Sequence, residues 1–142
     1  MIEVPEYALS VLQRLSKHGF EAFVVGGCVR DSLLGKRPKD WDITTSALPE
    51  ESKALFADMP VLETGIRHGT VTVLSAGRPV EVTTYRVDGP YTDGRHPDRV
   101  RFTRSLREDL ARRDFTINAM AYHPEVGLVD YFSGQADLDR KS

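Results

Sequence analysis

The sequence predicts an α+β fold in which helices flank a small, mixed, mostly antiparallel sheet. Two β-branched runs with period-two alternation, TVTVL (70–74) and PVEVTTY (79–85), are joined by Ser75-Ala-Gly-Arg, the pattern of a hairpin. The N-terminal stretch instead sets Ala8, Val11, Leu12 and Leu15 at helical spacing. Between them a strand-like run, 20–25, meets a paired-glycine turn, Gly26-Gly27, and then a helix carrying Arg30 and Asp31. At 142 residues the chain suits one domain, large enough for a core without disulfide or metal staples.

In chain order, residues 5–17 form the first helix, which His18-Gly19 stops. Residues 20–25 are a buried strand, and the helix after the glycine turn continues through 31–34 until Gly35. A second strand, 40–44, opens with Asp40 and Asp42. Ser46 or a neighbour caps the next helix, with Pro49 in its first turn and acids near its positive end; it runs to about residue 57, short of Pro60. Residues 61–63 suit a short strand, and the hairpin follows. The stretch 87–98 holds two Gly, two Pro and three Asp, which predicts a long, mobile loop. Residues 99–103 return as a strand. Residues 105–112 form a helix with the capping-box pattern Ser105-Leu-Arg-Glu108, Asp114 opens another short helix, and 128–131 is the last strand. The tail, GQADLDRKS, is charged and reads as lacking a closing element. No internal repeat, low-complexity tract or interdomain linker interrupts this order.

Composition narrows the class. Nineteen basic residues against twenty-one acidic ones give a net charge of −2, which excludes a broadly basic nucleic-acid binder. Charge is uneven, however: from Arg95 to Arg113 there are seven arginines and three acids, either a patch for phosphates or a solvated face. Cys28 is the one cysteine, so no internal disulfide forms, and the four histidines lack zinc-ligand spacing. The N-terminus has no signal-peptide pattern, and no apolar run approaches the ~20 residues that span a membrane. A cytoplasmic location is the expectation.

The chemistry concentrates between residues 23 and 42. On a strand, residues i and i+2 face the same way, about 6–7 Å apart, so Asp40 and Asp42 project together while Trp41 turns into the core. Such a pair can hold two divalent ions about 3.5–4 Å apart for in-line displacement at phosphorus. Gly26 and Gly27 let a phosphate approach the backbone, and the following helix offers N–H groups to an anion. A phosphate cradle beside metal-binding carboxylates proposes nucleotidyl transfer. Taken singly, Gly-Gly also serves as a plain tight turn, Asp-x-Asp as a turn or helix cap, and Arg30–Asp31 as a surface pair. A dinucleotide fold fits less well, since GxGxxG is absent. Glu81, inside an apolar strand, is either exposed on a one-sided sheet or a third carboxylate of the metal site.

GGCVRDSLLG…DWD, TGIRHGTVTV, VEVTTYR and RRDFTINAMA, in this order, resemble the head domain of the tRNA nucleotidyltransferase/poly(A) polymerase family, more narrowly class II CCA-adding enzymes. The resemblance covers about residues 20–138 and implies a polymerase-β-like nucleotidyltransferase fold. It implies that Asp40 and Asp42 are the catalytic metal-binding pair of a two-Mg²⁺ site, with Glu81 matching the VEVTT stretch. It places Gly26, Gly27 and Arg30 at the incoming triphosphate. It assigns Arg113, Asp114 and Asn118 to the nucleotide, including its ribose; the bland alternative makes Asp114 a helix cap and Arg113 half of a salt bridge. DGPYTDGRHPDRVRF is similar to the flexible loop such enzymes use in moving from C to A addition.

The function this implies is Mg²⁺-dependent transfer of CMP and AMP from CTP and ATP to the 3′ end of tRNA. Family enzymes add a neck that selects the base, and a body and tail that hold the tRNA. None of these is expected within residues 1–142, which read as an isolated catalytic head. A poly(A) or A-only-adding enzyme shares the same head, and a nucleotide-binding module without turnover is the alternative from another class.

Overall fold

The structure is a computed structural model that describes residues 2–63, 65, 68–88, 100–113 and 115–141. Asp114 and most of the expected loop, residues 89–98, lie outside the described residues.

Helix α1 (Glu6–Lys17) precedes strand β1 (Ala22–Val25), helix α2 (Gly27–Leu33) and strand β2 (Asp42–Thr45). Helix α3 (Pro49–Leu55), β3 (Val61–Leu62), β4 (Thr70–Ser75) and β5 (Arg78–Thr84) follow. A ribbon of β6 (Arg86–Asp88) and β7 (Val100–Phe102) leads into α4 (Leu106–Ala111) and a 3₁₀ turn (Thr116–Asn118). Strands β8 (Ala121–His123) and β9 (Gly127–Val129) and helix α5 (Gly134–Lys141) complete the order. Seven strands form one sheet in the order β3-β4-β5-β2-β1-β8-β9, and β6 and β7 pair separately. Strand β2 is parallel to β5; the other described pairs are antiparallel. The fold class read from the sequence is the one observed.

Alternation sorts the side chains onto two faces. Ile43, Val71, Val73, Val80 and Val82 point toward α1 and α3, where Val11, Leu12, Leu15 and Phe56 are fully buried. Trp41 joins this larger core. The opposite face holds a smaller cluster: Phe23, Val25 and Ala121 of the sheet, Tyr85, and Leu106 and Leu110 of α4. The functional face is this second one, since Asp42 and Thr44 alternate with Ile43.

Several sequence readings are corrected. Asp40 precedes the strand, because β2 begins at Asp42, where pairing to Val25 and Glu81 starts. The hairpin is tighter than four residues: Ser75 pairs with Arg78, leaving Ala76 (φ 51°) and Gly77 (φ 78°) as a two-residue turn. The N-cap of α3, expected at Ser46 or a neighbour, is Leu48, its backbone N–H donating to Glu51 Oε1, while Ser46 Oγ accepts from the Glu21 N–H. Ser105 caps α4 by accepting from the Glu108 N–H, but the Glu108 carboxylate turns away to Thr103 Oγ1, so the capping box is half made. The helix expected from Asp114 is the 3₁₀ turn, and β8 follows it. The tail does close the domain: Asp130 accepts the N–H groups of Gly134 and Gln135 and so starts α5.

Candidate active site

Residues separated by some forty positions meet through the parallel β2–β5 pair. Register sets Asp42 opposite Glu81, and Glu81 opposite Thr72 on β4, forming one row across three strands. Asp40, Asp42, Thr72, Pro79 and Glu81 line a cleft of about 280 Å³. Trp41, 3% exposed, also lines it and, from the larger core, anchors the chain between the two aspartates. Asp40 and Glu81 are exposed and Asp42 is half-buried. Glu81 is thus on an open face, and it stands opposite Asp42.

Carboxylates this close resist joint ionisation. Burial, then the charges of Glu81 and Asp40, push the Asp42 carboxyl up to about 6, with Arg113 pulling the other way. Hard carboxylate oxygens with unrelieved mutual repulsion suit an oxygen-loving divalent cation. Among the described residues no group of three or more acids, histidines or cysteines is already drawn together at ligand distances. The donor set thus fits a cation by chemistry and charge, with Asp40, Asp42 and Glu81 as the groups that would hold it.

The sign of the pH effect follows. With a folded-state value near 6 against an ordinary 3.8, the folded chain retains a proton that the unfolded chain releases. Without cation, this contribution to stability is present below the ordinary value and is lost as pH rises through 6. A cation must displace that proton, so apparent Mn²⁺ affinity should fall by up to about tenfold per pH unit below 6. Calorimetric titration at pH 5, 6, 7 and 8 checks this; a flat profile would remove Asp42 from the cation site.

A second cluster lies beside the first. Gly26 has φ 82° and ψ −137°, a conformation that only glycine adopts freely, and its carbonyl accepts the N–H groups of Val29 and Arg30 to begin α2. A Cβ at Gly26 would stand 3.7 Å from Arg113 Nη1, and one at Gly27 would stand 3.2 Å from Arg30 Nη2. Gly27 thus leaves room for the Arg30 guanidinium, and the Arg113 guanidinium lies at ordinary contact distance from the turn at Gly26. Arg30 donates from Nη1 to Asn118 Oδ1 (2.9 Å) and from Nε to Asp31 Oδ1 (3.1 Å). The Gly26 N–H donates to the Met120 carbonyl, tying the segment after Asn118 to the same turn. Arg113 is largely buried, and its Nε has no hydrogen-bond partner among the described residues.

The structure therefore brings Gly26, Gly27, Arg30, Arg113 and Asn118 together, and sets Arg113 near enough to Asp42 for their charges to interact. Asp114 lies outside the described residues. Cys28, just behind the turn, is a poor nucleophile: burial pushes its thiol up to about 11, and the backbone hydrogen bond from Asp42 only partly offsets this. The basic stretch is not a uniform solvated face. Arg112 and Arg113 turn inward, and Arg107 stacks over Tyr131 and Phe132.

Asp109 escaped the sequence reading. Fully buried, it accepts from Thr44 Oγ1 and the Arg86 N–H (3.0 Å each) and faces Arg113 Nη2 at 3.6 Å. A signal was available: Asp109 sits between Leu106 and Leu110 on the apolar face of α4, where an acid needs a partner, and Arg113 lies four residues on.

Known proteins resemble this chain in sequence and in fold. The family described as "Poly A polymerase head domain" matches residues 22–142. A CCA-adding enzyme of Lactobacillus delbrueckii subsp. bulgaricus is 52% identical over 139 residues, 98% of this chain and 35% of that enzyme. One from Geobacillus kaustophilus is 49% identical over 136 residues, 96% of this chain and 33% of that enzyme. The chain thus spans about a third of the length of the curated relatives it matches. Among solved structures, the Bacillus stearothermophilus CCA-adding enzyme in complex with CTP superposes with a TM-score of 0.84 at 44% identity, over 95% of this chain and 31% of that one. A tRNA nucleotidyltransferase complexed with a primer tRNA and an incoming ATP analog has a TM-score of 0.69 at 34% identity, over 91% of this chain and 36% of that one.

Proposed function

Since the chain belongs to the poly(A) polymerase head-domain family, we propose that it is the catalytic head of a class II CCA-adding enzyme, transferring CMP and AMP from CTP and ATP to the 3′ end of tRNA. The observation that carries this is the row Asp42–Glu81 beside the Gly26-Gly27 turn with Arg30 and Arg113 above it. Relatives named CCA-adding enzyme at about half identity favour this over an A-only or poly(A) activity.

The 3′-oxygen of the acceptor attacks the α-phosphorus in line, the bond to the β-phosphate oxygen breaks, and pyrophosphate leaves. Asp40 and Asp42 would hold the catalytic Mg²⁺, with Glu81 adding charge beside them. When bound, Mg²⁺ lowers the pKa of the attacking hydroxyl and neutralises the leaving pyrophosphate. Arg113 forks onto phosphate oxygens, its Nη1 lying beside the Gly26 turn. Gly26 and Gly27 allow those oxygens to approach the backbone. Arg30, held in place by Asp31 and Asn118, reaches the triphosphate, and Asn118 with Asp114 offers hydrogen bonds to the ribose hydroxyl.

Sequencing the 3′ ends of a tRNA lacking CCA after incubation with CTP, ATP or both tests the reading. With this head joined to a neck, body and tail, the expected result is cytidines with CTP alone and a terminal adenosine only when both are present. Adenosine addition to an unextended end would favour the A-only alternative. Triphosphate binding without any pyrophosphate release would favour a binding module.

A further inference from the structure

We infer that Asp109 is a positioning residue, which orients Arg113 toward the triphosphate and ties it to the catalytic strand and the β6–β7 ribbon; the inference rests on the reading of the site given above. The carboxylate is 0% exposed and lies on α4, away from the cleft, so it does not touch substrate. Its two oxygens divide the work. Oδ2 accepts from Thr44 Oγ1 (3.0 Å), two residues beyond Asp42 on β2, and faces Arg113 Nη2 at 3.6 Å. Oδ1 accepts the Arg86 N–H (3.0 Å) at the start of β6 and faces Arg112 Nε at 3.8 Å.

A carboxylate wholly removed from water is costly unless its charge and lone pairs are met. Here two guanidinium groups supply the charge, and a hydroxyl and a backbone N–H supply the hydrogen bonds. Burial lowers the Arg113 pKa, and Asp109 is the largest influence opposing this. The pair therefore aims Arg113 across the Gly26 turn, where its Nη1 stands 3.7 Å from the Gly26 Cβ position. Thr44 gives this anchor its reference to the carboxylates, because it shares a strand and a face with Asp42.

Two effects of Asp109→Asn oppose each other, which makes its sign informative. Removing a negative charge behind Arg113 would by itself tighten phosphate binding. Losing the partner that aims Arg113 would weaken it. If Asp109 acts through Arg113, orientation decides the outcome, and deleting it matters only while Arg113 is present.

The test is calorimetric titration of the 142-residue chain with CTP and Mg²⁺, using wild type, Asp109→Asn, Arg113→Met and the double variant, with near-ultraviolet circular dichroism to verify folding. Asp109→Asn is expected to weaken binding by about tenfold, and the double variant to match Arg113→Met within about twofold. Binding within about twofold of wild type, tighter binding, or losses that multiply in the double variant would overturn the inference. If Asp109→Asn does not fold, Thr44→Val, which deletes only the donor to Oδ2, takes its place, and its loss must likewise vanish with Arg113→Met. A wild-type chain that binds no CTP overturns this inference together with the reading of the site. Wild-type binding with an unchanged Asp109→Asn overturns the inference alone.

Discussion

Asp42→Asn is expected to abolish nucleotidyl transfer and, in the absence of cation, to leave the chain as stable as before or slightly more so. Asparagine preserves the shape and pairing of β2, so neither Ile43 nor Thr44 moves. It removes an anionic ligand whose loss forfeits several kcal/mol of charge stabilisation, and at about 1.4 kcal/mol per decade the rate should fall by about 10³ or more. Stability moves the other way because the ionised carboxylate is unwelcome: burial, Glu81 and Asp40 all push its pKa up. At neutral pH the substitution relieves this, and after discounting for partial exposure the gain is on the order of 1 kcal/mol. A melting curve in EDTA beside a single-turnover assay reads both. Transfer within a few-fold of wild type would discard Asp42 as a metal ligand, and a large loss of stability would show that it serves the core.

Gly134→Ala should have the largest effect on stability. A Cβ there would collide with the Thr116 carbonyl oxygen, stand 2.9 Å from its carbonyl carbon and crowd Met120 Cγ at 3.0 Å. The first of these atoms is backbone and cannot rotate away. The close approach lets α5 seat against the 3₁₀ turn, where Thr116 Oγ1 donates to Asp137 Oδ2. Overpacking of this kind costs about 1–3 kcal/mol, only partly offset by up to ~1 kcal/mol of helix propensity. Melting should drop by roughly 3–8 °C for a domain of this size. The displaced turn carries Asn118, so the hydrogen bond to Arg30 should be lost and CTP binding should weaken with it. Gly77→Ala has open space around its Cβ position but a left-handed φ of 78°, so it reports the cost of backbone strain alone, without a clash. Equal melting of Gly134→Ala and wild type would refute the packing argument.

How much was legible in the sequence depends on how local the cause was. Paired β-branched runs around Ala76-Gly77, the strand–Gly-Gly–helix unit and the Asp-x-Asp spacing act through neighbouring residues, and each names its own structure. Asp42 and Glu81 could be suspected of sharing a site, but their direct opposition is a property of a parallel register, which short-range pattern does not encode. Helix α5 was missed because its residues are polar: its start depends on Asp130 reaching forward and its seat on the absent side chain of Gly134. Strand β8 was absorbed into an expected helix because TINAMA has good helix formers, while pairing of Ala121 and Tyr122 to β1 overrides that preference. Asp109 was counted only as one of three acids in an arginine-rich stretch, although its neighbours Leu106 and Leu110 already marked a buried face.

The central claim is that one site holds both cation and triphosphate, built from the carboxylates of β2 and β5 and the arginines above the Gly26 turn. Anomalous diffraction from crystals of this chain grown with CTP and Mn²⁺ tests it most directly. The expected result is manganese density at Asp40 and Asp42, with the triphosphate running from there past Gly26 and Gly27 to Arg30 and Arg113. Manganese away from both aspartates, or a triphosphate seated elsewhere on the chain, would contradict it.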